Sequence, residues 1–390
     1  MKKRKKYLAL GVAALGLIAV LANPGCASTR RTGWVEENGQ HYYYNERGRM
    51  VTGWLSRDDG SYYLLEDGVR AAGWQEIDGS TYFFDDSGRM CTGLTPIDGV
   101  TYAFGSDGIL ASGWLELGGK THYIAENGTP LTGWQEIEGK AYYLDADGSL
   151  YNGWLEDNGH TYYLQSGLYA TGIVRLDDTN HFFDSRGWRV CMVNPWNALP
   201  PDTDAVEVVS VGGDHAIAVE AKADFSAMVY AMQQADLGPI ITSSFRTGER
   251  QQEIFNERMA GYISQGMSEA DAYAKTATSV AIPGTSEHQL GLAMDMTDAH
   301  YNKLDEGQME TPTQLWLIEN SWRYGFILRY PAGKQAITGI IYEPWHYRYV
   351  GKELAAELYE LGLTMEEYFD TLTADKSLTA SNPENGNTAH

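Results

Sequence analysis

Every twenty residues from residue 33 onward, the chain returns to a Gly-Trp pair. Gly33-Trp34, Gly53-Trp54, Gly73-Trp74, Gly113-Trp114, Gly133-Trp134 and Gly153-Trp154 keep that register. Gly93-Leu94 fills the gap in phase, and Gly172-Ile173 closes the series one residue early. An aromatic pair follows inside the units, as in Tyr42-Tyr43, Tyr62-Tyr63, Tyr82-Phe83, Tyr142-Tyr143 and Tyr162-Tyr163. Asn38-Gly39, Asp78-Gly79, Asp98-Gly99 and Asn158-Gly159 are dipeptides of tight hairpin turns, which need positive φ. A second glycine ends each unit, at Gly48, Gly68, Gly88, Gly108, Gly128 and Gly148. Each unit therefore reads as one short β-hairpin. A lone hairpin is marginally stable in water, so the copies must stack and bury their aromatic rings against one another. An all-β hairpin-repeat solenoid over residues 32–190 is expected.

This pattern resembles the cell-wall-binding, choline-binding or glucan-binding repeats of Gram-positive surface proteins. In choline-binding members, aromatic side chains of adjacent repeats cage a quaternary ammonium by cation–π attraction. Those members carry a second Trp just before the aromatic pair. Here His41, Ser61, Thr81, Thr101, Thr121, Ala141 and Thr161 stand in its place. A cage lacking one wall should hold choline weakly or not at all. The resemblance implies that the array attaches to a cell-wall polysaccharide or teichoic acid.

The N-terminus carries five basic residues, Lys2 to Lys6, followed by an apolar run from Tyr7 to Ala22. That order is the one found in an export signal. The run has 16 residues, short of the roughly 20 of a spanning helix. Residues 1–27 are therefore read as a signal peptide or membrane anchor, with lipidation of Cys26 as a third variant. An exported protein at the cell surface or cell wall is expected. Loss of these residues takes the formal charge from −23 to −28, which excludes nucleic acid and anionic membrane surfaces as partners. Cys91 and Cys191 lie a hundred residues apart and are expected to be free, buried thiols.

After Gly187 the repeat stops, and the proline-containing connector 193–202 leads into a different texture. Strands are expected at 206–211, 240–243, 292–296, 326–329, 337–342 and 347–350. Helices are expected at 222–235, after Arg246, and at 268–277, 313–324 and 352–361. An α+β domain of residues 192–372 results, and the polar stretch 373–390 reads as a disordered tail.

Three pieces of this second domain carry chemistry. His288 precedes Asp295 by seven residues, and between them runs an apolar, strand-like segment. An unpaired buried carboxylate is costly, so Asp295 needs a cation or hydrogen bonds. Glu343 and His346 flank Pro344, which excludes a helix interior; a bend there would bring both into one cavity. Two imidazoles and one carboxylate make a three-ligand zinc set with a fourth position left for water. A further carboxylate that does not bind the metal, for which Glu343 is the candidate, can move protons. Arg246 offers a forked cation for a carboxylate, with Gln251 about one helical turn away.

Together these pieces resemble one family. The run Ser286-Glu287-His288-Gln289-Leu290-Gly291-Leu292-Ala293-Met294-Asp295 and the later Glu343-Pro344-Trp345-His346-Tyr347-Arg348-Tyr349-Val350-Gly351 are similar to the paired signatures of VanY-type D-alanyl-D-alanine carboxypeptidases. These zinc peptidases share a fold with D-Ala-D-Ala dipeptidases and the hedgehog domain. The resemblance implies that His288, Asp295 and His346 hold Zn2+ and that Glu343 acts as general base and then acid. It implies that Arg246 clamps the terminal carboxylate of a peptidoglycan stem peptide with Gln251 and Ser286, and that Trp345 lines the pocket. The expected molecule is multidomain, with a hairpin-repeat solenoid followed by an α+β zinc peptidase domain built on a central antiparallel sheet. The expected activity is removal of the terminal D-alanine from stem peptides. L,D-carboxypeptidase action on tetrapeptides and a non-catalytic wall-binding or adhesion role are the alternatives.

Overall fold

The computed structural model describes residues 30–199 and 206–374. The expected export segment with Cys26, and the tail beyond Ala374, lie outside the described residues. By packing, the chain forms two compact units. The first comprises the repeats up to Leu117 together with Ile124–Pro130, and the second comprises Gly118–Tyr123 and the chain from Leu131 onward.

In the first unit, Gly33–Glu37 pairs with Gln40–Tyr44, Gly53–Arg57 with Gly60–Leu64, Gly73–Ile77 with Ser80–Phe84, and Gly93–Ile97 with Val100–Phe104. Asn38 and Gly39 have φ of 52° and 76°, the double positive φ of a type I′ turn. The register sets Trp34 opposite Tyr43, and the rings meet edge-on at 5.2 Å. The same indole meets Tyr62 of the next hairpin at 5.0 Å. Trp54 repeats this with Tyr63 and Tyr82, and Trp74 with Phe83 and Tyr102. Each of these Trp rings thus bridges its own hairpin and the following one while Trp54 and Trp74 stay exposed, and the buried core between hairpins is built from Ala71, Ile77 and Phe84. Backbone bonds reinforce the stack: the amides of Arg70, Met90 and Leu110 donate to the carbonyls of His41, Ser61 and Thr81, each at 2.8 Å. The second glycine has a packing reason. The Met90 thioether lies on Gly108, where an added Cβ would come within 2.3 Å of the sulfur.

The second unit begins with three more hairpins, Gly133–Ile137 with Lys140–Leu144, Gly153–Asp157 with His160–Gln165, and Gly172–Leu176 with Thr179–Phe183. An α+β region follows. Strands β1 (Val208–Gly212) and β2 (His215–Ala218) form a hairpin. Strands β3 (Pro239–Ser243), β4 (Ala293–Asp298), β5 (Phe326–Leu328) and β6 (His346–Tyr349) form one sheet in the order β3-β4-β6-β5, antiparallel throughout. The helices are α1 (Lys222–Gln234), α2 (Gly248–Ser264), α3 (Glu269–Ala277), α4 (Pro312–Asn320), α5 (Gln335–Thr338), α6 (Lys352–Leu361) and α7 (Met365–Ala374). Thr247, Ser268 and Thr311 cap α2, α3 and α4 through their hydroxyls, satisfying first-turn N–H groups. Phe225, Met228 and Met232 of α1 share one core with Met294 and Met296 of β4, Leu317 of α4 and Tyr347 of β6.

A second core joins the last hairpin to the C-terminal helices: Phe182 packs with Leu354, Leu358, Met365, Tyr368 and Phe369. The Ile173 amide also donates to Thr373 Oγ1 at 2.8 Å. Residues 373 and 374, read from sequence as the start of a tail, are the last turn of α7. Its apolar face, Met365, Tyr368 and Phe369, is buried in a core that this hairpin shares with Ile327 of β5 and with α6. The strand expected at 337–342 is absent. The single turn α5 ends at Gly339, with φ 80°, and Thr338 Oγ1 accepts the Ile340 amide instead of a sheet partner. Both thiols are free, but neither is fully buried: Cys91 is half-buried and Cys191 is exposed. No helix among the described residues is long and apolar enough to cross a membrane.

Candidate active site

All six residues of β4 are buried, Asp295 among them. Its register places Asp295 opposite Ser243 on β3 and opposite His346 on β6. His288 arrives from the short 3-10 turn Glu287–Leu290, which ends at Gly291 in the left-handed region with φ 66°. An added Cβ at Gly291 would lie 2.9 Å from the Ala218 amide nitrogen, so the glycine permits both the turn and the close approach. The bend needed between Glu343 and His346 is a β-turn: the His346 amide donates to the Glu343 carbonyl at 3.1 Å across Pro344.

The imidazoles are held by their outer nitrogens. His288 Nδ1 lies 2.8 Å from the Ser244 carbonyl. A carbonyl can only accept, so that nitrogen carries the proton and Nε2 is left facing Asp295 Oδ2 at 3.4 Å. His346 Nδ1 lies 3.1 Å from Asp295 Oδ1, while its Nε2 lies 3.2 Å from Glu287 Oε2. One ligand atom from each of His288, Asp295 and His346 falls within 4.8 Å of the others, and all three residues are buried. Two imidazole nitrogens and a carboxylate oxygen converging in a buried space fit a zinc ion in donor type and number.

Electrostatics point the same way. Burial would raise Asp295, but His288 and His346 hold its carboxyl well below the usual range. Burial and the Arg246 guanidinium push His288 down to about 4, against the pull of Asp295. Burial also opposes charge on His346, yet its hydrogen bonds to Asp295 and Glu287 raise it to about 9. Glu343, 3.9 Å from His346, is pushed up to about 8, chiefly by burial.

The remaining candidates surround this cluster. Arg246 donates from Nε to Ser243 Oγ at 2.9 Å, from Nη1 to Gln251 Oε1 at 3.1 Å and from Nη2 to Asp295 Oδ2 at 3.2 Å. Gln251 is fixed by a bond from its amide to the Ala281 carbonyl at 2.7 Å. Ser286 and Trp345 are buried and line the same cavity as Glu343 and His288. All eight residues singled out from the sequence therefore meet in one place. Sequence reasoning passed over Glu287, Tyr330, Arg329 and Arg348. Tyr330 packs its ring 4.7 Å from that of His346, and Arg329 and Arg348 both bond to Glu287. The available signal was a charge inside each apolar strand run, Arg329 after Phe326–Leu328 and Arg348 between two tyrosines.

Comparison with known proteins agrees with this geometry. The VanY profile, D-alanyl-D-alanine carboxypeptidase, matches residues 214–352. A choline-binding repeat matches residues 31–70 and 131–167, and a cell wall binding repeat matches 72–90. A D-alanyl-D-alanine carboxypeptidase of Enterococcus faecalis is 42% identical over 190 residues, covering 48% of this chain and 68% of that protein. One of the same description from Enterococcus faecium is 37% identical over 143 residues, covering 36% of this chain and 40% of its own length. Among solved structures, a D,D-pentapeptidase VanY variant in complex with Zn(II) is 42% identical, covering 46% of this chain and 97% of that one, with a TM-score of 0.42. The chain belongs to the VanY family of D-alanyl-D-alanine carboxypeptidases.

Proposed function

We propose that the protein is a zinc-dependent D,D-carboxypeptidase that removes the terminal D-alanine from peptidoglycan stem peptides. The observation that carries this reading is the convergence of His288, Asp295 and His346 within 4.8 Å, with Glu343 beside them in a buried cavity. His288 Nε2, Asp295 and His346 Nδ1 would hold the metal. When bound, zinc supplies a Lewis acid for the scissile carbonyl and lowers the pKa of a water.

The chain's own groups then do the positioning and the proton movement. Glu343 takes a proton from the attacking water on its carboxylate and passes it to the departing D-alanine amine. A group held at about 8 by burial is near the working range for both steps. Arg246 uses three of its five N–H donors within the protein. The other two remain for the substrate's terminal carboxylate, with Ser286 and Gln251 at hand.

The repeats would carry the enzyme to a wall polysaccharide or teichoic acid after export directed by residues 1–27. His41, Ser61, Thr81, Thr101, Thr121, Ala141 and Thr161 stand where choline-binding repeats carry a second Trp, which weighs against choline as the principal ligand. The test is to incubate the zinc-loaded protein with muropeptides ending in pentapeptide and in tetrapeptide, and to follow their masses. Loss of one alanine from the pentapeptide is expected; loss only from the tetrapeptide would assign L,D activity instead. Loss from neither, with zinc bound, would favour a wall-binding role without catalysis.

A further inference from the structure

Glu287 sits between Ser286 and His288 and has no exposed side-chain surface. Its two oxygens are used differently. Oε1 accepts from Arg329 Nε at 2.7 Å and from Arg348 Nη1 at 2.9 Å. Oε2 is left for His346 Nε2, at 3.2 Å. Arg329 turns its other face to Glu366 of α7, bonding Oε2 at 2.8 Å and Oε1 at 2.6 Å. Two arginines and two glutamates thus form a charge-balanced buried network, with one carboxylate oxygen aimed at an imidazole.

The network is anchored outside the segment matched by the VanY profile. Arg348 Nη2 donates to the Cys191 carbonyl at 2.6 Å, and Asn194 Nδ2 donates to Glu366 Oε1 at 3.1 Å. Both anchors lie just beyond the repeats, at residues 191 and 194, so both arginines are fixed from two sides. A carboxylate held this way cannot swing to another partner without leaving two buried guanidinium groups short of charge, which is strongly unfavourable.

We propose that Glu287 is the positioning residue of the metal site. It accepts the Nε2 proton of His346, fixes that tautomer and ring orientation, and leaves the Nδ1 lone pair facing Asp295 and His288. An outer carboxylate on a ligating histidine sets ring orientation and raises ligand basicity, and losing such a partner typically weakens metal binding about 10–100-fold. The inference rests on His346 being a metal ligand, as proposed above.

The first test needs no substitution. Nitrogen-15 NMR of the full chain, labelled at histidine and loaded with zinc, should show His346 protonated at Nε2 and metal-bound at Nδ1. A proton on Nδ1, or metal on Nε2, would overturn the proposal. The second test is chelator competition for zinc. Glu287→Gln should bind zinc about 10–100-fold more weakly than the unaltered chain. Because that variant leaves the network with one excess positive charge, the charge-balanced pair Glu287→Met/Arg348→Met is measured alongside it. A folded variant of either kind that binds zinc as tightly as the unaltered chain would refute the role. His346→Ala separates the two layers of argument. If it leaves zinc binding unchanged, the ligand assignment has failed; if it abolishes binding while the Glu287 variants bind zinc as tightly as the unaltered chain, only the positioning role has.

Discussion

Asp295 and His346 face each other across neighbouring antiparallel strands, with Asp295 Oδ1 3.1 Å from His346 Nδ1. The pairing is a matter of register, and a slip of one residue in either strand would turn that strand's side chain to the opposite face of the sheet. Asp295 also approaches His288 Nε2 at 3.4 Å through its other oxygen, so it is the common member of both contacts. Asp295→Ala should therefore lower zinc affinity by more than the about 10–100-fold typical of an outer-sphere partner. Elemental analysis after dialysis checks this, and full metal occupancy would contradict it.

Glu343 is near His346 but belongs to a different function. Its Oε2 lies 3.9 Å from His346 Nδ1, beyond hydrogen-bond range. Glu343→Gln should keep its zinc and lose about 10²–10⁴-fold in kcat, the usual contribution of a positioned proton carrier. Single-turnover assays on a stem pentapeptide, with zinc quantified in the same sample, separate the two effects.

Zinc uptake by the metal-free protein should depend on pH in a defined direction. Hydrogen bonds to Asp295 and Glu287 outweigh burial and raise His346 to about 9, from an ordinary value of 6.5. Its proton thus stabilises the metal-free fold fully below pH 6.5, and that contribution is lost as pH rises through about 9. Zinc needs the neutral imidazole, so binding expels the proton. Affinity measured by chelator competition should climb as pH rises toward about 9 and level off above it. A flat profile would show that His346 gives up no proton.

The last hairpin should matter to the stability of the enzyme's own unit. Phe369 of α7 is fully buried and packs its ring 5.3 Å from Phe182 of the hairpin. Phe369→Ala should cost about 3–5 kcal/mol, the range for a buried phenylalanine. Urea unfolding followed by tryptophan fluorescence measures it; a change below about 0.5 kcal/mol, the level of a surface substitution, would mean that Phe369 is not held in that core.

Much of this molecule was legible because its sequence signals are local. A twenty-residue Gly-Trp period and Asn-Gly or Asp-Gly turns specify hairpins through φ angles alone, and the hairpins stand where the turns placed them. Asp295 was legible because a carboxylate in an apolar run needs a buried partner, whereas the roles of His288, Glu343 and His346 were legible only through the resemblance of their motifs to VanY-type carboxypeptidases. What stayed hidden depended on distant partners. The run at 337–342 is apolar and β-branched, yet Gly339 and the absence of a neighbouring strand leave it irregular. Helix α7 ends in residues that read as tail because its apolar face is completed by distant partners such as Phe182, far away in sequence. Glu287 carries no signal of its own in the sequence beyond its place between Ser286 and His288. Its role appears only when Arg329, Arg348 and Glu366 are brought to it by three different elements.

The most direct test of the whole account is D-alanine release from a purified stem pentapeptide by the full chain, before and after metal removal by a chelator. The account predicts release of one D-alanine per peptide, its loss on chelation and its return when zinc is added back. Release that persists in the rigorously metal-free protein would contradict the assignment of His288, Asp295 and His346 as the centre of the reaction.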